Sequence, residues 1–367
     1  LSLFRAILTP FSEFWISKNM KGNCTTPDWE DQQIAFTSIA FAVIIASACG
    51  NSLLLRAFCK FSNLRTASNM IVMSLCVADS LIPICFILQI ISTEIKHRSN
   101  NGQIHSRNFC KASALFSLFL TTVIILHLAL ISVDRFIAVR FSLRYHAILT
   151  NRRTLIASIA MWLWAALVTL VFPQAIWLRN NDNQALRKLV PAFYPCLKLC
   201  IRLGGKERKP TPLPSETTEA YKIFFLLTIL GIPLVTILCS YIYIFRVSHN
   251  HRKQIRTRDN NPRISTITQE LKGARILVIM VALCLLSFLP LFLFSSLLIA
   301  DWLPDDPQKK GDNFSYRKLM KQIKTYAYIF ALGLNAICNP LVYGLGNQQL
   351  RSAIRRLLKR TSVISPA

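Results

Sequence analysis

Seven runs of apolar residues, each broken by few or no charges, alternate along the chain with polar segments. They cover about 34–58, 69–91, 110–135, 154–178, 220–246, 272–300 and 325–345. A helix needs roughly 20 residues to cross ~30 Å of hydrocarbon, so each run is long enough to span a bilayer. The third is the cleanest, with no charge between Ala112 and Val133. The seventh is the least apolar, because Tyr326, Tyr328, Asn335 and Asn339 interrupt it. The pattern predicts an all-α membrane protein, a seven-transmembrane helix bundle over 34–346. An outer amino-terminal segment, 1–33, would precede it, and a short amphipathic cytoplasmic helix with a tail, 347–367, would follow.

Composition supports this picture, since 53% of residues are hydrophobic, 16% are charged and the mean hydropathy is +0.40. A net charge of +26 raises nucleic acid as a partner. The basic residues lie between uncharged runs, however, with no zinc or aromatic-basic motif beside them, so nucleic-acid binding is excluded. Their distribution orients the bundle instead. With the amino terminus outside, the inner segments hold 21 Lys+Arg against 3 Asp+Glu, and the outer ones 22 against 13. The excess on the short inner loops places the carboxyl terminus in the cytoplasm.

The same topology divides the eleven cysteines. Cys24, Cys110, Cys196 and Cys200 fall outside, where disulfides persist and three pairings of four are open; the other seven lie in or near helices as small packing residues. Asn23 and Asn313 each open an Asn-x-Ser/Thr acceptor on the outer side. Residues 1–33 hold no apolar core with a cleavage site, and Met20 opens a plausible outer start, so 1–19 reads as an upstream extension.

Within the runs, polar residues carry the candidate chemistry. Asp79 sits near mid-membrane, where a carboxylate costs roughly 3 kcal/mol or more unless partnered. Pro83, Pro233 and Pro290 interrupt helical hydrogen bonding and suit parts that move. Asp134-Arg135 stands where the third run ends; Cys110, 25 residues earlier, is then about 37 Å away at the outer end. The outer segment from Gln174 to about Ala220, with Lys222 just beyond, holds nine basic residues against four acids. Such a surface steers anionic ligands. Trp162 and Trp164 read as bulk. After Gly346, Leu350, Ile354, Leu357 and Leu358 recur at helical spacing among Arg351, Arg355, Arg356, Lys359 and Arg360. That makes membrane lipids of an anionic inner leaflet a partner.

Gly50-Asn51, Asp79, Cys110, Asp134-Arg135, a fourth-helix tryptophan, Pro233 with Tyr241, Pro290 and Asn339-Pro340-x-x-Tyr343 occur in that order, one or more per helix. Together they resemble the rhodopsin-like family of G-protein-coupled receptors, over about Ile34 to Arg360. The resemblance implies a cell-surface receptor at the plasma membrane, not an enzyme, with no cofactor. Its partners would be an extracellular ligand, a heterotrimeric G protein and arrestin. It implies that Glu270 pairs with Arg135 and that breaking this bridge lets the sixth helix swing outward. Tyr241 and Tyr343 would then support Arg135, while Asn51, Asp79, Asn335 and Asn339 form an intramembrane polar centre, with Asp79 a weak sodium site. Cys110 would pair with Cys200, favoured over Cys196.

Four positions depart from the family pattern. Phe136 replaces the tyrosine after Asp134-Arg135, Phe288 the tryptophan below Pro290, Cys284 a phenylalanine, and Ile124 a serine of the sodium site. The ligand is narrowed by two absences. Ser117 stands where amine receptors place an aspartate, and Gly333 where opsins place the retinal lysine. By helical depth the pocket comprises Ser117, Thr121, Thr122, Phe292, Phe294, Ser295, Tyr326 and Ile329, favouring a peptide or a small non-amine molecule. A receptor that internalises ligand without G-protein coupling is the alternative; a transporter is disfavoured by the single intramembrane acid and the lack of an internal repeat.

Overall fold

The computed structural model describes residues 27–98, 103–172, 224, 227–255, 333–341, 343–344 and 348–362. Long helices dominate: Pro27–Lys60, Ala67–Arg98, Gln103–Arg140, Asn151–Ala166 and Ile232–Ile255. The first two connect through a 3-10 turn at Ser62–Leu64; another 3-10 turn at Ser142–Arg144 and one helical turn at Tyr145–Ile148 lead from the third helix into the fourth. A shorter helix, Gln348–Ser362, lies near the end of the chain. Five spans among the described residues are long and apolar enough to cross a membrane. The sixth apolar run lies outside the described residues, as do 325–332, 342 and 345 of the seventh, which is helical over 333–341.

The helices overrun the apolar runs that foretold them. The third apolar run covers 110–135, whereas its helix is 38 residues long, Gln103–Arg140. At 1.5 Å per residue that is about 57 Å, well beyond the hydrocarbon core. Hydropathy marks the solvent around a helix; the helix itself continues until its backbone finds a stop. Thr150 supplies one at the next helix, its hydroxyl accepting from the Arg153 N–H as an N-cap.

Prolines reshape two spans. π-helical turns at Leu167–Val171 and Leu227–Gly231 lie just before Pro173 and Pro233. A proline offers no N–H and crowds the carbonyl four residues back, and a widened turn relieves that crowding. Pro83 behaves differently: the helix runs through it, and loosening above it is not observed. The carbonyl it deprives of a partner is that of Asp79, which the Ser47 hydroxyl approaches at 3.4 Å from the first helix.

The third helix is the axis of the bundle. Inside the structure 72% of its span is buried, against 56% of the second and 28% of the first, fourth and fifth. Its Ile124, Leu128 and Ile131 meet Leu54, Phe58 and Leu75 in one continuous core. Large apolar side chains point outward elsewhere, as Ile156, Ile159 and Leu163 do on the fourth helix and Val235, Ile242 and Phe245 on the fifth. In water these ridges would aggregate; against lipid they cost nothing. Lipid is as apolar as leucine, so packing and interhelical hydrogen bonds hold the bundle together.

Candidate functional site

The third helix ends in a compact polar cluster. Asp134 is 2% exposed and the Arg135 side chain 13%. Adjacent helical residues point ~100° apart, yet the long arginine side chain folds back so that its Nε donates to Asp134 Oδ2 at 2.8 Å and its Nη2 reaches the same oxygen. Ser68, at the start of the second helix, donates to Asp134 Oδ2 at 2.9 Å and also meets the Arg135 guanidinium. Tyr145, from the turn before the fourth helix, donates to Asp134 Oδ1 at 2.6 Å. One carboxylate thus gathers donors from the second helix, the third helix and the following turn, and the opposed charges make its burial tolerable. Burial, and then the Asp134 charge and hydrogen bond, push the Tyr145 phenol above its ordinary range. Phe136 packs edge-on against Tyr243 of the fifth helix, ring centroids 4.9 Å apart. Leu143, in the turn between the third and fourth helices, is 91% exposed.

A second polar group lies in mid-bundle. Asn51, Asp79, Asn335 and Asn339 are all fully buried. Asn51 Nδ2 donates to the Ala336 carbonyl at 2.9 Å and to the Ser47 carbonyl at 3.0 Å, and Asn339 Nδ2 donates to Asp79 Oδ2. The first, second and seventh helices are thereby joined. Asp79 Oδ1, Asn51 Oδ1 and both side-chain polar atoms of Asn335 make no protein hydrogen bond. Buried polar atoms of this kind hold ordered water. A hard cation needs several oxygens at once, and the fully buried Ile124 supplies none.

The third group was missed from sequence. Trp162 Nε1–H donates to Ser74 Oγ at 2.9 Å, and Ser74 Oγ lies 2.9 Å from His127 Nε2. His127 Nδ1 is 2.8 Å from the Val123 carbonyl. A carbonyl only accepts, so Nδ1 carries the proton and Nε2 takes the Ser74 hydrogen. The chain of donors is complete, and it ties the second, third and fourth helices. Trp162 is therefore more than bulk, unlike Trp164, which is 39% exposed. A signal existed: the fourth helix and the π-helical turn after it bury Thr154, Ser158, Ala165, Val168 and Thr169, mostly small or polar, while Leu155, Ile156, Ile159 and Leu163 are exposed. Small and polar residues facing inward are the membrane rule. Trp162→Phe is expected to destabilise the detergent-solubilised protein by about 1 kcal/mol, with Trp164→Phe within ~0.5 kcal/mol of the parent; equal thermal shifts would exclude the network.

Of the other sequence-derived residues, Pro233 and Tyr343 are buried, and Tyr241 and Pro340 half-buried. Ser117, Thr121 and Thr122 are buried on the third helix, their hydroxyls donating to carbonyls four residues back at 2.8 to 3.0 Å. Cys49, Cys59, Cys76, Cys85, Cys239 and Cys338 are free thiols. Cys110 lies in the third helix, with its side chain outside the described set. Glu270, Cys284, Phe288, Pro290, Phe292, Phe294, Ser295, Tyr326, Ile329, Cys196, Cys200, Asn23 and Asn313 also lie outside the described residues.

A bundle of membrane helices thus surrounds a buried acid, with an acid–arginine cluster at one end of its most buried helix. The profile of the 7 transmembrane receptor (rhodopsin family) matches residues 50–343, and the chain belongs to that family of multi-pass plasma-membrane receptors. It is 26% identical to Octopamine receptor beta-1R of Drosophila melanogaster over 86% of this chain, and it spans 60% of that receptor's length. Similarity extends to Adenosine receptor A2b of Gallus gallus, 25% identical over 88% of each chain. Trace amine-associated receptor 13c of Danio rerio is 28% identical over 86% of this chain and 82% of that receptor.

Proposed function

We propose that the chain is a receptor that binds an extracellular ligand and activates a heterotrimeric G protein, with its amino terminus outside and the Asp134 end in the cytoplasm. The observation that carries this is the Ser68–Asp134–Arg135–Tyr145 cluster at the end of the most buried helix. It is a closed arrangement of the arginine, and opening it exposes a charged surface at a cytoplasmic cleft. Opening is a shift between two packings, so a ligand acts by binding one of them better. Tyr241 and Tyr343 support Arg135 in the open form, and Pro233 and Pro290 are where the fifth and sixth helices bend. Leu143, so exposed beside Arg140 and Arg144, supplies an apolar contact for the G protein; arrestin would use the same face.

Glu270 is the proposed sixth-helix partner of Arg135. Glu270→Ala should raise basal nucleotide exchange about threefold to tenfold, the range for losing a partly exposed charge-assisted bond of roughly 1 kcal/mol. Unchanged or lower basal exchange at matched surface expression would remove Glu270 from the lock.

The three relatives are named for octopamine, adenosine and trace amines. Ser117 leaves an ammonium without a counter-ion, so we favour a small uncharged molecule or a peptide over an amine. Ser117, Thr121 and Thr122 line the pocket from the third helix, and Cys110 closes the outer end with Cys200 or Cys196. A ligand screen read out on a panel of G-protein families tests this, and an amine agonist would overturn it. The second reading, internalisation without coupling, draws on Phe136, which packs against Tyr243 where the family carries a hydroxyl.

A further inference from the structure

Two irregularities bracket the buried acid of the second helix. Ser80 Oγ donates back to the Cys76 carbonyl at 2.7 Å, a bond of the kind that bends helices. Pro83 has no N–H for the carbonyl four residues back, which is that of Asp79 itself. The two carbonyls differ in what they have left. That of Cys76 keeps the Ser80 N–H of the helical ladder. That of Asp79 loses its ladder partner and is met instead by Ser47 of the first helix, 1% exposed, whose hydroxyl reaches it at 3.4 Å. An aspartate side chain is short, so the place of its main chain fixes the place of its carboxylate. Asp79 Oδ2 accepts from Asn339 and Oδ1 makes no protein hydrogen bond, which leaves much of the holding to the main chain. Tyr343, one turn beyond Asn339 on the same face, is buried in the core.

We propose that Ser47 is a positioning residue of the switch: its hydroxyl replaces the amide hydrogen that Pro83 lacks and holds Asp79 where the closed form needs it. This rests on the receptor reading given above. Ser47 acts on the Asp79 main chain, the Asp79 carboxylate on Asn339, and the turn after Asn339 on Tyr343, which leaves its buried place when the switch opens. Releasing the carbonyl costs the closed packing, so Ser47→Ala favours the open one. At 3.4 Å the contact is long for a hydroxyl donor, so the effect falls at the low end for a neutral hydrogen bond, about twofold to fivefold. The same hydroxyl also lies 3.5 Å from Asn51 Nδ2. Asn51 already donates to the Ser47 and Ala336 carbonyls at 3.0 and 2.9 Å, however, and Ser47→Ala leaves both bonds in place. The proline, rather than Asn51, makes the hydroxyl necessary.

The test is a double-mutant cycle on the full chain in nanodiscs: parent, Ser47→Ala, Pro83→Ala and the two combined. Pro83→Ala restores the N–H and leaves Ser47 nothing to replace. Amide hydrogen exchange over 333–341 reports the seventh helix, and basal nucleotide exchange on an added G protein reports the switch. Ser47→Ala should raise both rates about twofold to fivefold in the parent and change neither in the Pro83→Ala background. Ser80→Ala removes a hydroxyl beside Asp79 but orphans no carbonyl, so it should leave both rates within about twofold of the parent. Unchanged amide exchange in Ser47→Ala, a change that survives Pro83→Ala, or an equal change in Ser80→Ala overturns the positioning role. Faster amide exchange with identical nonzero turnover overturns the link to the switch. Faster amide exchange with no turnover from any variant instead counts against the G-protein reading and leaves Ser47 as the holder of Asp79.

Discussion

Arg135→Ala should abolish ligand-stimulated nucleotide exchange, a loss of about tenfold or more, while ligand uptake at the cell surface persists. The arginine is the only basic side chain on the Asp134 carboxylate among the described residues, where Nε donates at 2.8 Å. Removing it strands a buried charge, and breaking such a pair costs ~3–5 kcal/mol. Two effects then compete: loss of the resting clamp, which would raise basal turnover, and loss of the group offered to the G protein, which would end it. The second dominates because Arg135 is the third-helix charge that opening newly presents, Arg140 being exposed in the closed form already. Tyr145→Phe serves as the graded control. It removes one donor at 2.6 Å and is expected to shift basal exchange by less than about tenfold, the scale of a hydrogen bond to a charged group. Full exchange by Arg135→Ala at matched surface expression would reject the switch, and a parent that takes up ligand but never drives exchange would establish the internalising receptor.

Much of this cluster was legible. Asp134-Arg135 at the end of an uncharged run announces a helix leaving the bilayer, and the order of landmarks placed Asp79 and Asn339 on meeting helices, as their hydrogen bond shows. Ser68 and Tyr145 were not legible, because serine near a helix start and tyrosine in a polar turn have many ordinary uses. Their role depends on the depth at which three segments end, and helix ends were where the apolar pattern failed. Ser47 was hidden for a related reason. Its partner, the Asp79 carbonyl, becomes available only because Pro83 follows four residues later. Trp162 and Trp164 look alike in the sequence, and the face of the helix on which each falls decides between them.

Gly50→Val should prevent the protein from reaching the cell surface in folded form, whereas Cys49→Val should be tolerated. A Cβ on Gly50 would lie 2.8 Å from Pro340 Cγ and 2.9 Å from Pro340 Cβ. The pyrrolidine ring cannot rotate away, and Pro340 is tied into a helix whose Asn339 donates to Asp79. The next residue, Asn51, needs the same close approach, because its Nδ2 reaches the Ala336 carbonyl at 2.9 Å. Forcing the first and seventh helices apart therefore adds the ~1–3 kcal/mol of overpacking to the loss of at least one buried hydrogen bond. Gly333 repeats the motif seven residues earlier, where a Cβ would lie 2.6 Å from Val43 Cγ1. Any side chain at that position requires Val43 to shift. Cys49 is exposed to the lipid side, so a valine there meets hydrocarbon in place of protein. Thermal melting and surface labelling of the pair decide the matter: equal losses would mean that helix propensity is responsible, and loss at Gly50 alone assigns it to contact with Pro340.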